Sequence, residues 1–203
     1  MSKLCILIDN GHGIETKGKR SPDGRLLEWK WTREAAILFS KKLDEIGISN
    51  VLLVPEEKDV SLSNRCLRAN TITKNMKKNG VDTLFISIHV NAGPYGGWSN
   101  ASGVSVYVYE DGSEKSKTCG KIFTRKAKEM KLTGNRSVPV DEYWSCRFYV
   151  CKNTTCPAIL LENKFMTNKG DVEYLLSNEG KEELINWWVS SILEYVKTYS
   201  YNC

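Results

Sequence analysis

Three apolar runs of strand length, each ending in a side chain able to bind a metal or move a proton, constrain this chain more than any other feature. Ile6-Leu7-Ile8 runs into Asp9-Asn10-Gly11-His12-Gly13, Thr83-Leu84-Phe85-Ile86-Ser87-Ile88 runs into His89-Val90-Asn91, and Ala158-Ile159-Leu160-Leu161 runs into Glu162. His12 and His89 are the only two histidines among 203 residues. Strand-like and helix-like segments alternate between the first two runs, the pattern of successive βαβ units, and right-handed crossovers lay such strands parallel. Parallel strands bring His12 and His89 to one edge of the sheet. Open α/β sheets gather their functional residues at that edge, outside the carboxyl ends of the strands.

Length and charge narrow the class. A chain of 203 residues with 41% hydrophobic and 26% charged residues is globular, and residues 1–203 are read as one α/β domain. The net charge of +5 comes from basic residues interspersed with acidic ones. They form no run of five or six, so they read as a solvated surface and not as a nucleic-acid interface. No apolar run approaches the roughly 18 residues that span a bilayer, so no membrane insertion is expected. Met1-Ser2-Lys3-Leu4 enters the first strand without the features of a secretory signal, which sets the expectation of synthesis in a cytoplasm. Seven cysteines cannot all pair internally, and a reducing compartment keeps them as thiols. Cys146, Cys151 and Cys156 lack zinc-knuckle spacing and an evident fourth ligand, and are read as small core residues.

The segments between the runs can be placed by periodicity and punctuation. Residues 14 to 25 form a polar loop, and residues 28 to 46 form a helix with Ala35, Ala36, Leu38, Phe39, Leu43 and Ile46 on its apolar stripe and Gly47 beyond its end. Glu28 falls at that helix's N-terminus, where the dipole favours a carboxylate. Val51-Leu52-Leu53-Val54 reads as a strand closed by Pro55, and Ser61 caps a helix to about Lys78 with Leu62, Cys66, Ala69, Ile72 and Met76 inward. A strand over Gly103 to Tyr109, antiparallel if it breaks the βαβ pattern, precedes a helix from about Ser113 to Met130. Residues 131 to 145 are irregular, Arg147 to Val150 reads as a strand, Asn168 caps a short helix, and residues 179 to 199 form the last one. The expected fold is α/β, a mixed and mostly parallel sheet of about six strands with helices on both faces. Trp98 and Trp144, in loops near the active edge, are read either as packed caps or as the lining of a substrate groove.

A catalytic zinc ion takes three protein ligands and keeps one position for water, and two histidines with one glutamate form an established set. His12, Glu28 and His89 meet that requirement if the loop between them folds back. No histidine is then left to act as base, which points to Glu162 as the group that takes a proton from water. Asp9 and Asn91 are assigned either to orienting the ligands by hydrogen bonds or to ordinary turn roles. Spacing alone leaves two readings open, a mononuclear metal site and a pair of capped core histidines.

Several motifs together resemble a known family. Asp9-Asn-Gly-His-Gly13, Leu27-Glu28, Leu62-Ser-Asn-Arg-Cys-Leu-Arg-Ala-Asn70, Ser87-Ile-His-Val-Asn-Ala92 and Pro157-Ala-Ile-Leu-Leu-Glu162 with Phe165 and Asn168 resemble the zinc-dependent N-acetylmuramoyl-L-alanine amidases of the amidase-3 family. The resemblance implies one Zn2+ held by His12, Glu28 and His89, with Glu162 as catalytic acid-base. It implies peptidoglycan as the substrate, cut at the amide between the lactyl group of N-acetylmuramic acid and L-alanine. It resembles most a phage endolysin made of the catalytic domain alone, which acts on the wall once the membrane is breached. No obligate protein partner and no inserted helix plugging the site are expected. A wall-remodelling or recycling amidase, and a non-catalytic peptidoglycan-binding module of the same fold, are the alternatives. Pro55 and the pair Asn163-Lys164 depart from the family pattern, the first standing where an arginine is usual.

Overall fold

In a computed structural model, residues 3–139 and 142–200 are described; the seventh cysteine, Cys203, lies outside them. Six strands, β1 (Lys3–Asn10), β2 (Ser49–Leu52), β3 (Val81–Asn91), β4 (Ser105–Tyr109), β5 (Trp144–Cys146) and β6 (Ala158–Phe165), form one sheet in the order β2-β1-β3-β6-β4-β5. β2, β1, β3 and β6 are parallel, β4 runs antiparallel to β6, and β5 is parallel to β4. The helices are α1 (Glu28–Glu45), α2 (Leu62–Lys78), α3 (Glu114–Glu129), α4 (Tyr149–Asn153), α5 (Lys169–Leu176) and α6 (Asn178–Tyr199).

Alternation along the strands sorts two cores. Leu4, Ile6 and Ile8 of β1, Leu84, Ile86 and Ile88 of β3, and Ile159 and Leu161 of β6 meet α1, α3, α5 and α6. Their neighbours Cys5, Leu7, Phe85, Ala158 and Leu160 face α2 and α4. Phe39 of α1 and Trp187 and Trp188 of α6 are wholly buried in the larger core. The helix starts follow the capping chemistry of the sequence: Ser61, Ser113 and Asn168 each accept the backbone N–H three residues on.

Three expectations differ from the structure. The segment from Arg147 to Val150 is not a strand: the strand lies earlier, as β5, and takes Trp144 and Ser145 from the stretch read as irregular, while Tyr149 opens α4, whose Val150 and Cys151 complete the smaller core. Burial of those two side chains against α2 outweighs the strand preference of the aromatic pair Phe148-Tyr149. The second strand ends at Leu52, with Leu53 continuing its pairing by one bond to the Ile8 carbonyl at 2.9 Å. On the apolar stripes, Leu38, Ile46 and Leu62 remain exposed, because each lies at the margin of a helix face wider than the sheet surface it covers.

The six described cysteines are free thiols, and no described helix is long and apolar enough to cross a membrane. Tight backbone contact closes the loop before β4. Gly103 has φ +107°, and a Cβ there would sit 1.9 Å from the Thr133 carbonyl oxygen. Gly103→Ala should therefore destabilise the fold by about 2–4 kcal/mol, whereas Gly97→Ala, with open space around it, should be close to neutral. Urea denaturation of both variants measures the difference.

Candidate metal centre

The loop after β1 is built to hold a histidine away from the strand. Gly11 donates to the Ile88 carbonyl at 2.9 Å, and His12 takes a left-handed conformation with φ 63°. A non-glycine residue in that region is strained and persists only where its surroundings fix it. Here two arginines do so. Arg33 Nη2 donates to the His12 carbonyl at 2.9 Å and Arg65 Nη2 at 3.2 Å. Arg65 Nη1 also donates to the Asn10 carbonyl at 2.5 Å and to Asp9 Oδ1 at 2.7 Å. Gly11 is required for a different reason: a Cβ there would lie 2.3 Å from the His89 ring.

Glu28 reaches the site because the polar loop doubles back. Ser21 N donates to the Leu26 carbonyl at 2.9 Å and Glu28 N to the Lys19 carbonyl at 2.9 Å, so α1 begins beside the ends of β1 and β3. The carboxylate is buried, with 1% of its side chain exposed. Its Oε1 accepts from Val90 N at 2.9 Å and lies 3.1 Å from His89 Nδ1. Its Oε2 lies 3.3 Å from His12 Nε2 but has no hydrogen-bond partner.

This arrangement fits a metal ion better than it fits a self-contained polar cluster. One ligand atom from each of His12, Glu28 and His89 lies within 4.8 Å of the others. Ligands bound tetrahedrally at zinc distances are about 3.3 Å apart, the separation found between His12 Nε2 and Glu28 Oε2. A buried carboxylate oxygen without a hydrogen bond is costly unless a cation meets it. Among the described residues this is the one grouping of three such side chains, and Cys146, Cys151 and Cys156 form none.

Glu162 stands across from His89 in the β3–β6 register. Its Oε2 is buried without a hydrogen-bond partner. Burial pushes its carboxyl up from the ordinary 4.5 to about 7; Glu28 adds to that shift, and His89 opposes it. Glu28 moves the other way: burial opposes its ionisation, but the neighbouring His12 and His89 imidazoles outweigh it and hold the carboxyl well below the usual range. Burial likewise works against the charged form of His89, and the Glu28 carboxylate reverses it, raising the imidazole above its ordinary value. One carboxylate is thus kept charged and the other poised to exchange a proton near neutrality.

The remaining sequence-selected residues are placed as follows. Asp9 contacts neither histidine; it accepts from Arg65 and, through Oδ2, from Ser87 Oγ at 2.6 Å, acting on the loop through Arg65. Asn91 Oδ1 accepts from Ala92 N at 2.8 Å, a local turn bond. Trp98 is exposed and meets Lys169 Nζ at 5.6 Å from its ring, whereas Trp144 is half-buried beneath Arg136. Nothing in the sequence marks Arg33 or Arg65 for this role, although Arg65 lies within the Leu62-to-Asn70 motif. An arginine on a helix reads as a solvated face, and only the tertiary fold turns it inward.

The chain is similar to known proteins in sequence and fold. The sequence profile of the family described as Amidase_3, N-acetylmuramoyl-L-alanine amidase, matches residues 6–194. The uncharacterized protein YqiI of Bacillus subtilis is 28% identical over 94% of this chain and 84% of its own length. The N-acetylmuramoyl-L-alanine amidase CwlM of Bacillus licheniformis is 30% identical over 85% of this chain and 61% of its own. An N-acetylmuramoyl-L-alanine amidase from Clostridium difficile 630 has the same fold, with a TM-score of 0.81, 22% identity and coverage of 97% of this chain and 98% of that one.

The raised carboxyl of Glu162 has a thermodynamic consequence in metal-free protein. Below pH 4.5 the group is protonated in both folded and unfolded chains and contributes nothing. Between 4.5 and about 7 the unfolded chain ionises first, so stability falls as pH rises; above about 7 the full penalty remains. Glu162→Gln removes that penalty. Metal-free Glu162→Gln should exceed the parent by about 3 kcal/mol at pH 8 and match it near pH 4, as read by denaturant melts at the two pH values.

Proposed function

The chain belongs to the N-acetylmuramoyl-L-alanine amidase family, and from that premise we propose that it hydrolyses the amide joining the lactyl group of N-acetylmuramic acid to L-alanine of the peptidoglycan stem peptide, as a zinc enzyme whose catalytic unit is this single domain. The observation that carries the reading is the buried, incompletely bonded Glu28 carboxylate between two histidines, with a second buried carboxyl, Glu162, facing them. His12, Glu28 and His89 would hold the ion. When bound, zinc supplies Lewis-acid chemistry, polarising a carbonyl and acidifying a water.

The chain's own residues account for the remaining steps. Glu162, with a carboxyl pushed up to about 7, takes a proton from the attacking water as its oxygen bonds to the lactyl carbonyl carbon. The same carboxyl returns the proton to the alanine nitrogen as the C–N bond breaks. Glu28 stays ionised throughout, held by Val90 N and the imidazoles. Arg33 and Arg65 keep His12 in its strained conformation, so its ring does not swing away when substrate enters.

Incubation with purified peptidoglycan should release new L-alanine amino termini and leave lactyl groups intact, with the release lost on chelation and restored by zinc. Glu162→Gln should keep its zinc and lose about 100-fold or more in rate, and His89→Ala should lose the zinc itself. Mass spectrometry of the released ends and metal analysis of each variant are the measurements. Wall binding with no new ends across several peptidoglycan types would instead identify a non-catalytic module.

A further inference from the structure

Beside Glu162 stands a cation with no carboxylate of its own. Ser105 of β4 is the register partner of Glu162, so their side chains share one face of the sheet. Arg136 comes over β4 from the segment that follows α3 and donates from Nε to Ser105 Oγ at 3.3 Å. Its guanidinium lies 4.5 Å from the Trp144 ring centroid and 5.5 Å from that of Phe165. Its charge acts to lower the pKa of both the Glu162 carboxyl and the Tyr107 hydroxyl, which places it among the groups around the reacting centre. No acidic side chain pairs with it among the described residues, in contrast to Arg25, Arg65, Arg68, Arg125 and Arg147, each of which has an ion-pair partner.

This geometry is that of a receptor for an anion. Cation–π contact with two aromatic rings holds the guanidinium in place, and the Ser105 bond occupies Nε. The two terminal amino groups are left for a planar, bidentate acceptor, which is the geometry of a carboxylate. The stem peptide supplies one close to the scissile amide. The residue after L-alanine is a glutamyl group joined through its γ-carboxyl, and its α-carboxyl is free in some walls and amidated in others. We propose that Arg136, held between Trp144 and Phe165 beside Glu162, receives this α-carboxylate, so that the site selects stems that are not amidated. This proposal rests on the amidase reading above. Arg136 is then a substrate-contacting specificity residue, and Trp144 serves substrate recognition by holding the arginine in place.

The test uses zinc-loaded protein and two synthetic substrates, N-acetylmuramoyl-L-alanyl-γ-D-glutamate and its α-carboxamide. The parent should favour the free acid by about tenfold or more in kcat/KM, chiefly through KM. Arg136→Gln should abolish the preference, lowering kcat/KM on the free acid by about tenfold more than on the carboxamide, with zinc content unchanged. Arg136→Lys, which keeps the charge but not the fork, should retain part of the preference and controls for folding. Equal turnover of both substrates by the parent overturns the proposal and leaves the amidase reading intact. So does an equal loss on both substrates in Arg136→Gln with a displaced pH profile, which would show the arginine acting through Glu162. Cleavage of neither substrate removes the amidase reading and this proposal together.

Discussion

The buried guanidinium of Arg65 is the contact on which the active edge of this protein depends. It is 2% exposed and faces Asp9, 1% exposed, at 2.7 Å. Two charges withdrawn from water are tolerated only when their remaining hydrogen-bonding capacity is met, and here it is met by the backbone of the catalytic loop. Arg65 donates to the carbonyls of Asn10, His12 and Val60, and Asp9 takes its second bond from Ser87. One ion pair therefore ties together the ends of β1 and β3, the start of α2 and the strained His12. Removing Arg65 would leave Asp9 buried without its charge partner, at a cost of about 3–5 kcal/mol, and would free the loop as well. Arg33 and Arg68 extend the scheme. Arg33 bonds the Glu56 carbonyl, and Arg68 bonds the Leu53 carbonyl and both oxygens of Glu56. The segment around Pro55 is thus fastened by two helical arginines.

With the loop fixed, the chemistry follows from where two carboxyls sit in one field. Glu28 enters from the opposite face of the sheet, at the first residue of α1, and is wrapped by donors. Glu162 rises from the sheet itself and meets a hydrogen bond on neither the Val90 amide nor the imidazoles. The same His12-His89 pair that stabilises the charge on Glu28 leaves Glu162 facing an already ionised neighbour. Burial then decides the second carboxyl in favour of its neutral form. The opposite shifts of the two carboxyls are consequences of this asymmetry and not of residue type.

Most of the frame was legible because local and global signals agree. The strand ends carrying His12, His89 and Glu162, the caps at Ser61 and Asn168, and the inward positions Ala35, Ala36, Phe39 and Leu43 all read directly from period and punctuation. Glu28 was legible only conditionally, since its approach depends on the bonds from Ser21 and Glu28 that fold the loop back. What could not be read is tertiary in origin. The helix at Tyr149–Asn153 exists because Val150 and Cys151 find a core beneath α2, and the arginines of α1 and α2 carry no sequence mark that separates a buried hub from a surface charge.

The pair Asn163-Lys164 shows how a departure from the family pattern can still serve the site. His89 pairs with Glu162, yet Asn91 pairs with Phe165, so β6 carries an extra residue opposite β3. Lys164 takes up that residue in a left-handed conformation with φ 66°. The bulge turns Asn163 inward, wholly buried, where Nδ2 donates to the His89 carbonyl at 2.9 Å and Oδ1 accepts from Trp188 Nε1 at 3.2 Å. Asp171 locks the other side by accepting from Phe165 N at 3.0 Å and Gly103 N at 3.2 Å. A small or apolar residue at 163 could make neither amide contact. In this chain the backbone of the histidine strand is consequently held from both ends, by Glu28 on the Val90 amide and by Asn163 on the His89 carbonyl. The position of the His89 ring is in this way coupled to the packing of the last helix.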